Sequence, residues 1–216
     1  DPMADCCDPI PYRRVFDSRE AARRLDRFHR RGLDDRAADI VAFLSDRVDG
    51  MTVLEVGGGV GDVQVALLEA GAAAAVNVEL SDAWEGAAAE LARETGTADR
   101  VSRRLGDFVA IADEVERADV VVLNRVVCCY PDMPRMLDAA AARTRRFLAV
   151  VVPRERWWIR AAVTVGNRFL GLRGCGFRAF VHPVADMERI AADHGLSPIH
   201  RSRDLVWQAT VFERRG

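Results

Sequence analysis

Lysine is absent from this chain of 216 residues, so all 31 basic residues are arginine. They face 33 acids, leaving a net charge of −2. Nothing in that balance signals nucleic acid or an anionic membrane, and neither is expected as a partner. Together with the many alanines, the missing lysine reads as coding bias rather than a device, although arginine brings forked hydrogen bonding wherever it lines a site. No apolar run reaches the roughly 18 residues that a membrane-crossing helix needs. A basic-then-apolar leader is also missing. Asp1 and Pro2 precede Met3 and are left out of the fold reading. Cysteine is sparse and oddly placed: Cys6-Cys7, Cys128-Cys129 and Cys175. Adjacent cysteines seldom bridge each other, and the count is odd. That argues against a disulfide scaffold and for a reducing cytoplasm. Length and a composition half hydrophobic suit one soluble domain, as a monomer or homodimer.

What the chain has is alternation. Two helices open it, at 18–31 and 34–47, with Ala22, Leu25 and Phe28 on one apolar face and Ala37, Ile40, Val41 and Leu44 on the next. After Asp49-Gly50 strands and helices follow in turn: MTVLEV, then VQVALLEAG, AAVNVEL, AWEGAAAELARETG, VSRRLGD, ADVVVLN, MPRMLDAAAART and RFLAVVVP. This order predicts a single-domain, Rossmann-like, doubly wound α/β sheet, mostly parallel. After the helix VADMERIAADHG, two strands joined by a tight turn add an antiparallel strand at the end. The reading divides the chain into an arm with cap helices, 1–50, and the α/β domain, 51–216. Residues 154–181 are ambiguous: RERWWIRAAVTVGNRFLGL fits a helix and LRGCGFRAF a loop.

The stretch VLEVGGGVGD carries the most information. A strand runs into Gly57, Gly58, Gly59 and Gly61, and a helix follows. Glycines permit a tight turn and close approach of a ligand to the main chain, while the helix amino end adds positive potential. A dinucleotide fold prefers a small residue where Asp62 stands, and an acid there repels pyrophosphate. A cationic, phosphate-free nucleoside instead favours nearby acids. Glu55 precedes the glycines, and Glu79 follows Gly59 by 20 residues at the end of the second strand, with Leu80 after it. An acid at that position can accept from both ribose hydroxyls. At the third strand end, Asp107 can accept from an adenine amino group, with Phe108 covering the ring.

On VLEVGGGVGD, the acid of VNVEL, RLGDF and ADVVVLN, the chain resembles the class I S-adenosylmethionine-dependent methyltransferases. Within them, VVLNRVVCCYPD, RAFVHPVADMERIAADHGL and the closing hairpin are distantly similar to the magnesium-protoporphyrin O-methyltransferases. That group carries an aspartate near the position of Arg125 and a histidine where Cys129 precedes Tyr130-Pro131. The resemblance therefore implies the fold and the cofactor S-adenosylmethionine, but not the acceptor. It places Glu55, Gly57, Gly58, Gly59, Gly61, Glu79, Leu80, Asp107, Phe108, Asn124 and Arg125 on the cofactor, with the fourth strand tip beside the transferable methyl group.

Around that tip the alternatives stay open. Cys128 and Cys129 are packing residues, a redox pair, acceptor contacts, or half of a soft-ion site with Cys6 and Cys7, whose adjacent spacing suits a metal poorly. Tyr130 and His182 are the candidate catalytic groups, and His29 is a weaker one; each histidine is otherwise structural or a surface residue. Tyr12, Cys129, Arg154 and Trp158 are candidate acceptor contacts, and the two tryptophans of 157–158 could equally pack in a lid helix. The expected function is methyl transfer to a small, anionic or planar metabolite through an O- or S-acceptor. The alternatives are a non-catalytic S-adenosylmethionine sensor, a methyltransferase of thiophilic metals or metalloids, and a dinucleotide oxidoreductase.

Overall fold

The structure is a computed structural model, and it describes residues 15–215. The first helix, α1 (Ser18–Arg31), starts where the Asp17 side chain accepts the Glu20 N–H and stops at Gly32, whose φ of 69° suits glycine. Asp34 caps α2 (Asp35–Leu44) through the N–H groups of Arg36 and Ala37. This helix ends at Leu44, before a single tight turn over Ser45–Arg47, and so is shorter than its periodicity suggests.

The alternating part follows as β1 (Thr52–Val56), α3 (Asp62–Glu69), β2 (Ala74–Glu79), α4 (Glu85–Glu94), β3 (Val101–Leu105), the short α5 (Phe108–Ile111) and β4 (Ala118–Asn124). Then come α6 (Met133–Arg143), β5 (Thr144–Pro153), α7 (Trp157–Leu172), α8 (Val184–Asp193), β6 (Leu196–Arg203) and β7 (Trp207–Arg214). The ambiguous stretch resolves into α7 and an irregular return. No loop separates α6 from β5: the Thr144 hydroxyl donates to the Ala140 carbonyl and closes the helix at the residue where the strand begins.

Seven strands form one sheet in the order β3-β2-β1-β4-β5-β7-β6. Only β7 runs against the others, since β5 and β6 both pair with it antiparallel. Side chains alternate across the sheet. Leu54, Val56, Val121 and Leu123 point to the layer holding α6 and α8, where Leu137 and Ala191 are buried. Val53, Val120 and Val122 point to α2 and α3, against Ile40, Leu44 and Leu67. Because helices cover both faces, β4 reads as an unbroken apolar run. The strand order reverses between β1 and β4, and that switch point opens a crevice at their carboxyl ends.

Phe147 is 1% exposed on β5 and belongs to the α2–α3 layer. Phe147→Ala should lower unfolding stability by about 3–5 kcal/mol, measured by urea titration, with the helical circular-dichroism signal retained below the midpoint.

Candidate active site

A cleft lies at the carboxyl ends of β1–β4. The glycine bend forms its floor. Gly57 and Gly59 have φ of 64° and 59°, where a side chain is strained. At Gly57 a Cβ would also lie 2.5 Å from Val126 Cγ2. A Cβ on Gly58 would lie 2.5 Å from Glu55 Cδ and closer still to Asn77 Nδ2. Each glycine therefore answers a specific steric demand.

Glu79 closes one side. Its carboxylate accepts the N–H groups of Gly59 at 3.0 Å, Leu80 at 2.9 Å and Ser81 at 3.1 Å. Burial raises its pKa, while those N–H groups pull the other way. With about four lone-pair sites on a carboxylate, room remains for a further donor. Asp107 stands on the next strand end: one oxygen caps α5 through the Val109 N–H and the other receives the Tyr130 hydroxyl at 3.2 Å. Phe108, Trp84, Phe16, Val126 and Met136 supply apolar walls.

The fourth strand tip turns at Arg125, a non-glycine residue with φ of 60°. Two contacts hold it there. Its guanidinium meets Asp34 at 2.9 Å and lies 4.4 Å over the Trp207 ring. Asp34 also lies 3.6 Å from Arg24, which pairs with Asp62 at 2.8 Å. Asp62 is thus a buried partner of α1, and burial still raises its pKa despite Arg24.

Cys128 and Cys129 sit in the tight turn after Arg125, with sulfurs 4.0 Å apart. Both thiols reach the Arg125 carbonyl, at 3.3 and 3.7 Å, so they brace this turn. Their shared hydrogen bond lowers the pKa of Cys128 and, with burial, raises that of Cys129. Cys129 lines the cleft and Cys128 is buried. Among the described residues no cluster of three or more metal-ligating side chains forms. Cys6, Cys7 and Tyr12 lie outside the described residues.

Of the residues singled out from sequence, Gly57, Gly59, Glu79, Leu80, Asp107, Phe108, Arg125, Cys129 and Tyr130 line the cleft together. The others stand elsewhere. Glu55 is 1% exposed beneath the bend, where it accepts the Gln64 N–H. Gly58 and Gly61 serve the bend without lining the cleft; Gly61 starts α3 with φ of 80°. Asn124 ends β4 with its Oδ1 buried. His182 turns its Nε2 to the Tyr130 carbonyl at 2.9 Å, and burial lowers its pKa. Arg154 donates to the Asp204 carbonyl at 2.7 Å, so its charge serves the β6–β7 turn. Trp158 is half-buried in the first turn of α7, away from the cleft. His29 pairs with Glu94 on the surface.

Sequence reasoning missed Phe16, Ser81, Trp84 and Met136, whereas Val126 lines the cleft as the reading of the fourth strand tip expects. Trp84 had a usable signal, an aromatic five residues past the strand-end acid. Phe16 and Met136 had none, because they arrive from the arm and from α6.

The chain was compared with known proteins. The family model described as "Methyltransferase domain" matches residues 28–209. A search of curated proteins by sequence finds no match. Among solved structures, magnesium protoporphyrin IX methyltransferase from Synechocystis PCC 6803 with bound SAH aligns with a TM-score of 0.67 and 22% identity, over 83% of this chain and 82% of that one. An O-methyltransferase family protein from Burkholderia thailandensis aligns with a TM-score of 0.66 and 16% identity, over 83% and 56%. An O-methyltransferase family 2 protein from Planctomyces limnophilus, in complex with apigenin, aligns with a TM-score of 0.61 and 17% identity, over 84% and 62%. At these identities the likenesses establish the shared fold.

Burial, followed by repulsion from Asp62, pushes Glu55 from 4.5 up to about 8. Its native carboxyl therefore keeps a proton that the unfolded chain releases, and stability falls as pH rises from about 4.5 through about 8. Glu55→Gln, which needs no proton, should flatten that decline; urea midpoints measured across the window check it.

Proposed function

We propose, from the premise that this chain belongs to the methyltransferase-domain family, that it transfers a methyl group from S-adenosylmethionine to an O- or S-nucleophile on a small, flat, anionic metabolite. The observation that carries this reading is the pair of acids, Glu79 and Asp107, that line the cleft beside the glycine bend. Asp62, behind the bend, is paired with Arg24, and Glu55 beneath it is pushed up to about 8, so neither adds negative charge to the cleft. A pyrophosphate would meet the two lining carboxyl groups unfavourably, whereas a cationic nucleoside would not. The donor set also fits. Glu79 retains capacity for ribose hydroxyls, Asp107 offers a carboxylate to an adenine amino group, and Phe108 lies beside it. Gly57 and Gly59 allow the left-handed bend whose main chain lines the cleft.

The cofactor supplies a methyl group already activated on a sulfonium. The residues would then exclude water and align the acceptor. Phe16, Trp84, Val126 and Met136 make the apolar walls. Among the described residues Arg125 is the basic residue lining the cleft; an acceptor with a negative group would compete with Asp34 for its guanidinium. Tyr130, hydrogen-bonded to Asp107, presents a polar group beside Cys129. His182 would position Tyr130 through its carbonyl rather than touch the reacting atoms. With no imidazole lining the cleft, an acceptor that arrives as its own nucleophile, a carboxylate or thiolate, fits better than a hydroxyl needing a base.

Calorimetry with S-adenosylhomocysteine and with NAD tests the cofactor. Binding of the first alone is expected; NAD binding instead would overturn the reading. Methyl-labelled cofactor incubated with metabolite extracts should yield a labelled small product, and binding without product would identify a sensor. Glu79→Ala should weaken S-adenosylhomocysteine binding by about 1–3 kcal/mol, and Glu79→Gln by less, because one acceptor oxygen remains. An unchanged affinity in a folded variant would remove Glu79 from the cofactor site.

A further inference from the structure

Helix α7 buries only Ile159 of its 16 residues. Its outward stripe is apolar. Trp157 is 81% exposed, Val165 67%, Phe169 51% and Leu172 88%. Spaced with Ala161 at helical intervals of three and four, these residues share one face. Other exposed large apolar residues, such as Leu105, Ile199 and Leu205, lie elsewhere in the sequence and have no comparable helical spacing. Charge around the stripe has one sign. From 156 to 185 the chain holds no acid, but it holds Arg156, Arg160, Arg168, Arg173 and Arg178. Among the described residues, Arg160 alone of these pairs with a carboxylate, that of Glu155.

We propose that the outer face of α7 docks on an anionic lipid surface, lying in the interface with the Trp157–Leu172 stripe in the acyl boundary and the arginines among the headgroups. A tryptophan at one end, aliphatic and aromatic residues along the face, and arginines beside and among them, Arg168 on the face itself, are the composition such a surface selects, the long arginine stems lying along apolar surface while their heads reach the headgroups. A second copy of the chain fits worse. Two such faces set together would oppose their arginines with no acid to balance them. No helix among the described residues is long and apolar enough to cross a membrane, so the contact is superficial. The net charge of the whole chain conceals this patch, because the acids lie outside it.

The face is joined to the cleft. Asn167 exchanges two hydrogen bonds with Ala179, the Phe180 N–H donates to the Cys128 carbonyl at 2.7 Å, and Phe177 packs edge-on against Phe16 of the cleft wall. Docking would bring a lipid surface to the element that packs against the cleft wall at Phe16 and hydrogen-bonds to Cys128, and an amphiphilic acceptor could enter from there. That last step rests on the methyl-transfer reading. The docking itself does not, and vesicle binding tests it without turnover.

The full chain is sedimented with phosphatidylcholine vesicles, with and without phosphatidylglycerol. The expected result is pelleting with the anionic vesicles, weakened by salt, and a blue shift of tryptophan emission. Trp157→Ser with Leu172→Ser should lower partitioning by about tenfold, with far-UV circular dichroism and S-adenosylhomocysteine binding unchanged. Arg168→Glu should reduce the preference for phosphatidylglycerol. No pelleting with anionic vesicles would overturn the proposal. So would sedimentation velocity showing a wild-type dimer that the Trp157→Ser, Leu172→Ser variant dissolves, which would assign the face to a second copy.

Discussion

Three backbone N–H groups converge on the carboxylate of Glu79, and the shape of the site depends on that convergence. One comes from Gly59 in the bend after β1; the other two come from Leu80 and Ser81, just past β2. A single side chain thus fastens the glycine bend to the neighbouring strand end. Groups that would otherwise be left unpaired inside the protein are satisfied, and an acid is held at the cleft wall against the cost of its burial. The glycines make such a bend possible, and Glu79 fixes its distance from β2 together with the Gly57 N–H, which donates to the Val78 carbonyl at 2.8 Å.

A second constraint works from the other side. Arg24 reaches from α1 to Asp62 at the start of α3, Asp34 stands between Arg24 and Arg125, and Arg125 lies over Trp207 of β7. The chain of charges crosses from the amino-terminal helices to the last strand. It holds Arg125 in a left-handed conformation that a non-glycine residue adopts rarely. Backbone strain at the tip of β4 is thereby supported by residues far away in sequence. The thiols of Cys128 and Cys129 support the same turn through the Arg125 carbonyl.

These two constraints bear on the chemistry. Two acids, Glu79 and Asp107, line the cleft where a phosphate-binding fold would need positive potential, and the remaining lining is mostly apolar. A site of this kind can seat a cationic nucleoside while shedding water. Outside the cleft, the exposed face of α7 is apolar, and the segment from 156 to 185 carries arginines without acids.

The amino-acid sequence by itself determined the periodic part. Unbroken apolar runs such as Ala118–Leu123 and the intervening helical faces lead to a doubly wound parallel sheet, because only burial on both faces accommodates them. The glycine cluster and the strand-end acids were equally legible, since their spacing is local to each βα unit. Where a side chain points was not. Glu55 and Glu79 look alike as acids at strand ends, yet one lies beneath the bend on Gln64 and the other faces the cleft. Arg154 and His182 follow the right elements but bind backbone carbonyls of other loops. Asp62, read as an obstacle to phosphate, proved to be the buried partner of an arginine 38 positions earlier. Such pairings depend on which distant residues the packed fold brings within hydrogen-bond reach, and periodicity along one segment holds no record of that distance.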